Sequence, residues 1–168
     1  MSNLLENLRM WEGSTDYLYL DTVGIPTVGY GFALPRIEML RAYYWSREMA
    51  VVEADWRILA ELEKGKLASY YAPFTRARLL HADVTAAQKL ADLTKLLERG
   101  WQYSTHPQPA QEALVDMAWN LGLGGLGKYV ALRAALDKRD YATCARECSR
   151  RGVSEARNKW TRNLFDSI

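Results

Sequence analysis

The sequence predicts an α+β protein, mainly α-helical, with one small β element near its N-terminus. Apolar residues recur at helical spacing over most of the chain. β-Prone residues gather in one place, Tyr17-Leu-Tyr-Leu20 and Ile25-Pro-Thr-Val28, around the turn Asp21-Thr-Val-Gly24. The two patterns are segregated along the chain, which is the mark of the α+β class.

Taken in order, Leu4, Leu5, Leu8 and Trp11 predict a short amphipathic helix over roughly residues 3–11, stopped by Gly13. The two β-prone runs follow as a hairpin, and Gly29 and Gly31 allow a sharp bend after it. Beyond Pro35, Ser46 is a candidate cap for a helix carrying Val52, Trp56, Leu59 and Leu62 and ended by Gly65. Residues 66–82 read as loosely helical. Thr85-Ala-Ala-Gln88 is a capping box before Leu90, Leu93 and Leu97, with Gly100 as the stop. Ser104-Thr-His-Pro-Gln-Pro109 resembles a linker. Pro109 then suits the first turn of a helix bearing Leu114, Met117, Ala118 and Leu121, which the run Gly122-Leu-Gly-Gly-Leu-Gly127 breaks. Further helices are predicted over roughly 128–137, 140–149 and 154–165.

A chain of 168 residues suits one compact domain, or two small lobes sharing a core. With 49% hydrophobic and 25% charged residues, global disorder is excluded. The net charge of +2 and the lack of a recognisable binding motif give no support to a nucleic-acid binder, although the C-terminal part is locally basic. That local excess suits an anionic polymer, or simply solvated helix faces. Cys144 and Cys148 lie on consecutive helical turns, so a bond between them would close almost no loop, and free thiols are expected. Only His81 and His106 could join them as ligands; no metal and no cofactor are expected. The N-terminus lacks the basic and apolar regions of a signal peptide, and no apolar run is long enough to span a membrane.

The densest chemistry lies between Met10 and Gly31. A glycosidase needs a carboxylic acid to protonate the glycosidic oxygen and a second group to attack or direct a water. The acid has to be partly desolvated to hold its proton near neutral pH. Glu12, ending an apolar helix beside Trp11, fits the acid. Asp21, on a turn where backbone N–H groups keep a carboxylate ionised, fits the second role, and Thr27 offers a hydroxyl to orient water. Singly, each residue reads as an ordinary helix end or turn former. The joint pattern E-x8-D-x5-T, set within helix, hairpin and Gly-x-Gly, points to a site.

The stretch Trp11-Glu-Gly13, Tyr19-Leu-Asp-Thr-Val-Gly24 and Thr27-Val-Gly-Tyr-Gly31 resembles the signature of phage-type lysozymes, the endolysins of glycoside hydrolase family 24. Two further blocks, Gln111–Gly122 and Gly152–Arg162, are similar to that family's helix ending in an aromatic, an amide and a glycine, and to its C-terminal Arg-bearing helix. The resemblance implies a lysozyme-like two-lobe fold in a single domain: a small hairpin-bearing lobe over about residues 13–82, and a helical lobe over about 83–168 together with the N-terminal helix. It implies hydrolysis of the β-1,4 bond between N-acetylmuramic acid and N-acetylglucosamine in peptidoglycan, with inversion. Glu12 is then the acid, and Asp21 and Thr27 place the water. Asn120, Trp119, Gly31 and Phe32 are assigned to the substrate, and Arg157 supports Glu12 across the cleft. Phe32 stands where the family commonly has His, so the loop has to be held by other means, and Asn120 stands where Gln is frequent. The segment between Phe32 and Thr85 is long and rich in aromatics, which fit the lobe's own core or a wall for sugars. The expected partner is bacterial peptidoglycan, with no nucleic acid, no stable membrane insertion and a monomeric state. The expected location is the host bacterial cytoplasm until a separate pore releases the protein to the wall. Alternatives are a secreted antibacterial effector with the same chemistry and a catalytically weakened module that binds peptidoglycan.

Overall fold

The computed structural model describes residues 2–168. It is α+β and mainly helical, and it divides into two compact units, one reaching to Ala87 and the other Gln88–Ile168. In the first unit, helix α1 (Ser2–Glu12) ends as expected at Gly13, whose N–H closes on the Arg9 carbonyl at 3.0 Å. An antiparallel sheet follows, ordered β1 (Thr15–Leu20), β2 (Pro26–Gly29) and β3 (Phe32–Ala33). Its register pairs Tyr19 with Thr27, Leu20 with Pro26, and Val28 with Phe32, with an irregularity between Thr15 and Tyr19. Strand alternation puts Leu18, Leu20, Val28 and Phe32 on one face, and all four are buried. Tyr19 and Thr27 share the other face. The sequence predicts a two-stranded hairpin; the third strand is two residues long, too short to show any period.

The long segment after β3 is compact. It carries a 3₁₀ turn at Ile37–Ala42, helix α2 (Met49–Ile58) continued by a 3₁₀ turn to Glu61, and a short helix α3 (Ala68–Tyr71) with its own 3₁₀ extension. Ser46 does not cap α2, whose cap position is Glu48. The Ser46 hydroxyl instead accepts the Arg78 N–H at 2.9 Å, beside a bridge between Trp45 and Leu79. Asp55 is buried and fixes the other end of this segment. Its carboxylate accepts the backbone N–H groups of Arg76 and Ala77 at 2.6 and 2.7 Å, and Arg76 Nε at 3.1 Å. Of the aromatics here, Tyr43 and Tyr71 are core, whereas Tyr44, Tyr70 and Phe74 are exposed.

Helix α4 (Ala82–Trp101) starts before the predicted capping box, so the Thr85 N–H bonds the His81 carbonyl from within the first turn. It also runs through Gly100 and stops at Gln102, which adopts the left-handed conformation with φ 50°. The predicted linker is anchored: the buried His106 ring meets the Tyr141 hydroxyl and the Trp101 carbonyl, each at 3.2 Å. Helix α5 (Gln108–Leu126) has Pro109 in its first turn. The glycine run kinks it at Gly122 (φ 67°, ψ 165°), and helical hydrogen bonding resumes beyond that point. Helices α6 (Val130–Asp137), α7 (Tyr141–Glu147) and α8 (Glu155–Asp166) complete the second unit. Asp140 and Ser154 cap the last two, accepting the N–H groups of Thr143 and Arg157. Leu97, Leu114, Met117, Leu132 and Phe165 are among its buried side chains. Cys144 and Cys148 are free and buried.

Candidate active site

Each predicted residue of the first unit owes its position to a local feature. Glu12 is the last residue of α1 and is half-buried. Gly31 lies against it. A Cβ on Gly31 would stand 3.1 Å from Glu12 Oε2, and its φ of +73° is one that side chains rarely adopt. Glycine therefore lets the Gly-Tyr-Gly bend approach the carboxylate closely. Asp21 follows β1 and is fixed by an Asx turn, its Oδ1 accepting the N–H groups of Val23 and Ile25 at 2.9 and 2.8 Å. Its Oδ2 takes part in no hydrogen bond among the described residues. Thr27 is buried on β2, and its hydroxyl donates to the Ile25 carbonyl at 2.9 Å. With that proton committed, the Thr27 oxygen is left to act as an acceptor.

Tyr19 links these groups and was not singled out by sequence reasoning. It is the cross-strand partner of Thr27 and feels the charges of both Glu12 and Asp21. Burial, followed by those two carboxylates and Tyr17, pushes its hydroxyl up to about 12. Tyr19 stays neutral across the physiological range, so it adds no charge beside the two acids. The available signal was the alternation itself, which places residues 17, 19 and 21 on one side of the chain.

Phe32 answers how the loop is held without the usual imidazole. It is buried, its ring 6.2 Å from Tyr30 and 5.8 Å from Tyr43. The polar anchor lies two residues earlier, where the Tyr30 hydroxyl donates to Asp83 on the first turn of α4. Burial and this hydrogen bond both raise the Tyr30 pKa. Phe32 thus supports the loop from beneath, while Gly31 is exposed.

In the second unit, Asn120 is exposed and Trp119 half-buried on α5. Arg157 is buried, and its Nε and Nη2 contact Asp116 Oδ1 at 2.9 and 2.7 Å. Asp116 Oδ2 is shared by Arg150 Nη2 at 2.7 Å and the Thr161 hydroxyl at 3.1 Å. Arg150 also donates to the Asp116 carbonyl and to Thr161. Two cations of the basic C-terminal part are thus interior structural groups, and a third, Arg133, lies over the Trp101 ring at 4.9 Å. Asp116 and Arg150 were missed by sequence reasoning. A lone carboxylate inside the apolar run Ala113–Ala118 was the legible sign of a buried ionic partner.

Among the described residues, no group of three or more His, Cys, Asp or Glu side chains is placed to hold a metal ion, and no helix is long and apolar enough to cross a membrane. No curated protein matches the chain. The family model described as Phage lysozyme matches residues 9–162, a span that contains Glu12, the hairpin with Asp21 and Thr27, Asn120 and Arg157. That match covers most of the chain, which belongs to the phage lysozyme family and is a peptidoglycan-degrading lysozyme.

Proposed function

We propose that this protein is a muramidase that cuts the β-1,4 bond between N-acetylmuramic acid and N-acetylglucosamine with inversion, and so causes bacterial lysis. The observation that carries the reading is the hydrogen-bonding state of Asp21 and Thr27. Asp21 Oδ1 is used by two backbone amides and the Thr27 proton by a carbonyl, so Asp21 Oδ2 and the Thr27 oxygen remain as acceptors for an incoming water. Two acceptors holding the protons of one water leave an oxygen lone pair for attack. Glu12 donates its proton to the glycosidic oxygen as the bond to the anomeric carbon breaks. The water oxygen bonds that carbon from the opposite face, and its proton passes to Asp21. Asn120 and Trp119 contact the sugars, and Gly31 gives the chain room beside Glu12. The protein acts as a monomer, released to the wall through a separate pore.

Purified protein incubated with sacculi should release fragments with reducing muramic acid ends. Proton NMR at early times should show the α-anomer forming first. Glu12→Gln should lower release by 10²-fold or more, the scale of general acid catalysis, while leaving wall binding intact. Equal release from Glu12→Gln and wild type would sink the assignment of the acid, and anhydro ends would replace hydrolysis by an internal transfer.

A further inference from the structure

Behind the Asp21 turn lies a pocket of about 270 Å³ with no role in the chemistry above. Leu20, Ile25, Pro26, Pro35, Trp56 and Leu59 contribute its apolar lining, so it joins the hairpin to α2 within the first unit. The lining includes one charged residue, Lys64. The Lys64 stem lies over Gly24, where a Cβ would stand 2.9 Å from its Cδ. The neighbouring Glu63 pairs with Lys66 at 2.9 Å, and Lys64 forms no ion pair among the described residues. Its ammonium is therefore available to an outside anion.

The polar groups of the wall narrow the ligand further. The Gly24 and Ile25 N–H groups are committed to Asp21, the Trp56 indole N–H to the Leu34 carbonyl, and the Pro26 carbonyl to the Leu34 N–H. Pro26 and Pro35 have no N–H to offer. With the named N–H donors spent, a sugar ring's hydroxyl oxygens would find little on this wall besides Lys64. A small aliphatic side chain needs no such partner, and a carboxylate beside it would meet Lys64. The volume is just below the range of about 300–1,000 Å³ typical of small-molecule sites, which suits one or two small residues.

The geometry points to this pocket as a subsite for the peptide carried by the glycan, holding a small aliphatic residue against Trp56 and a peptide carboxylate on Lys64. The inference rests on the muramidase reading for its natural ligand, but its binding test does not depend on turnover. N-acetyl-L-alanyl-γ-D-glutamate titrated into ¹⁵N-labelled protein should shift the Gly24 and Ile25 amides and the Trp56 indole. Lys64→Gln should weaken binding by about tenfold or more, as expected for loss of a charge-assisted hydrogen bond. Ala60→Phe, which places a ring at the exposed Ala60 position in the lining, should abolish the shifts while leaving the rest of the spectrum in place. Both variants should cut peptide-bearing sacculi more slowly than wild type, yet match it on glycan strands stripped of peptide. Absence of shifts at millimolar peptide, shifts unaffected by Lys64→Gln, or equal shifts with N-acetylglucosamine would overturn the assignment. If wild type cuts neither substrate, the muramidase reading fails, and the peptide titration still decides the pocket.

Discussion

Replacing Asp116 with Asn tests the most concentrated electrostatic feature of the second unit. The carboxylate holds Arg157 through two contacts at 2.9 and 2.7 Å and Arg150 through one at 2.7 Å, and the Arg150 side chain has no exposed surface. At about 4 Å and an effective dielectric of about 20, each pair is worth about 4 kcal/mol in gross Coulomb energy. Much of this offsets the desolvation of the three groups, and removing one partner of a buried pair typically costs about 3–5 kcal/mol. Asp116→Asn should lower unfolding free energy by that amount, which for a chain of this size lowers Tm by roughly 6–20 °C. Urea denaturation followed by tryptophan fluorescence provides the measurement. Arg150→Met should be milder, because Asp116 retains Arg157 and the Thr161 hydroxyl. Combined with Asp116→Asn, it should recover about 1 kcal/mol or more by removing a stranded cation. A loss below about 1 kcal/mol for Asp116→Asn, or simple additivity in the double variant, would refute the account.

Three other outcomes follow from the first unit and from α7. Gly31→Ala should reduce turnover while leaving the protein folded, because the new Cβ meets Glu12 Oε2 at 3.1 Å and the left-handed backbone adds about 1–2 kcal/mol of local strain; unchanged turnover would mean that the close approach is irrelevant. Tyr30→Phe removes the bond to Asp83 and should cost about 1–3 kcal/mol in denaturation, with a matching loss of amide protection along Gly29–Phe32. Cys144 should make the fold sensitive to alkali. Burial, followed by Asp140, raises its thiol from 9.0 to about 12. Stability from keeping that thiol neutral is fully present below about pH 9 and is lost as pH rises toward 12. A Cys144→Ala variant should therefore lose less stability than wild type across that interval.

What could be read from the sequence was whatever rests on local spacing. The order of helices, the glycine stop after α1 and the pattern of Glu12, Asp21 and Thr27 are all local, and each has a direct physical warrant. What escaped depended on partners distant in sequence. Ser46 has the chemistry of a cap, but Arg78 takes its hydroxyl. Thr85 and Gln88 have capping-box spacing, yet α4 begins upstream of them. Phe32 posed a question about the loop whose answer, Tyr30 with Asp83, spans residues far apart in the chain. Within the candidate site the acids were visible as residue types. Tyr19 was not, because a tyrosine in a strand normally reads as packing.

Asp55 has a consequence for how the protein withstands proteolysis. The stretch Arg76-Ala-Arg78-Leu79 offers two bonds of the type that trypsin-like proteases cut. A protease must draw such a segment into an extended form with free N–H groups. Here the Arg76 and Ala77 amides are bound to a buried carboxylate and the Arg78 amide to Ser46, with Leu79 bridged to Trp45. One aspartate thus turns a sequence that invites digestion into one that digestion reaches only through local unfolding. The long segment after β3 is thereby guarded at two of its cleavable bonds.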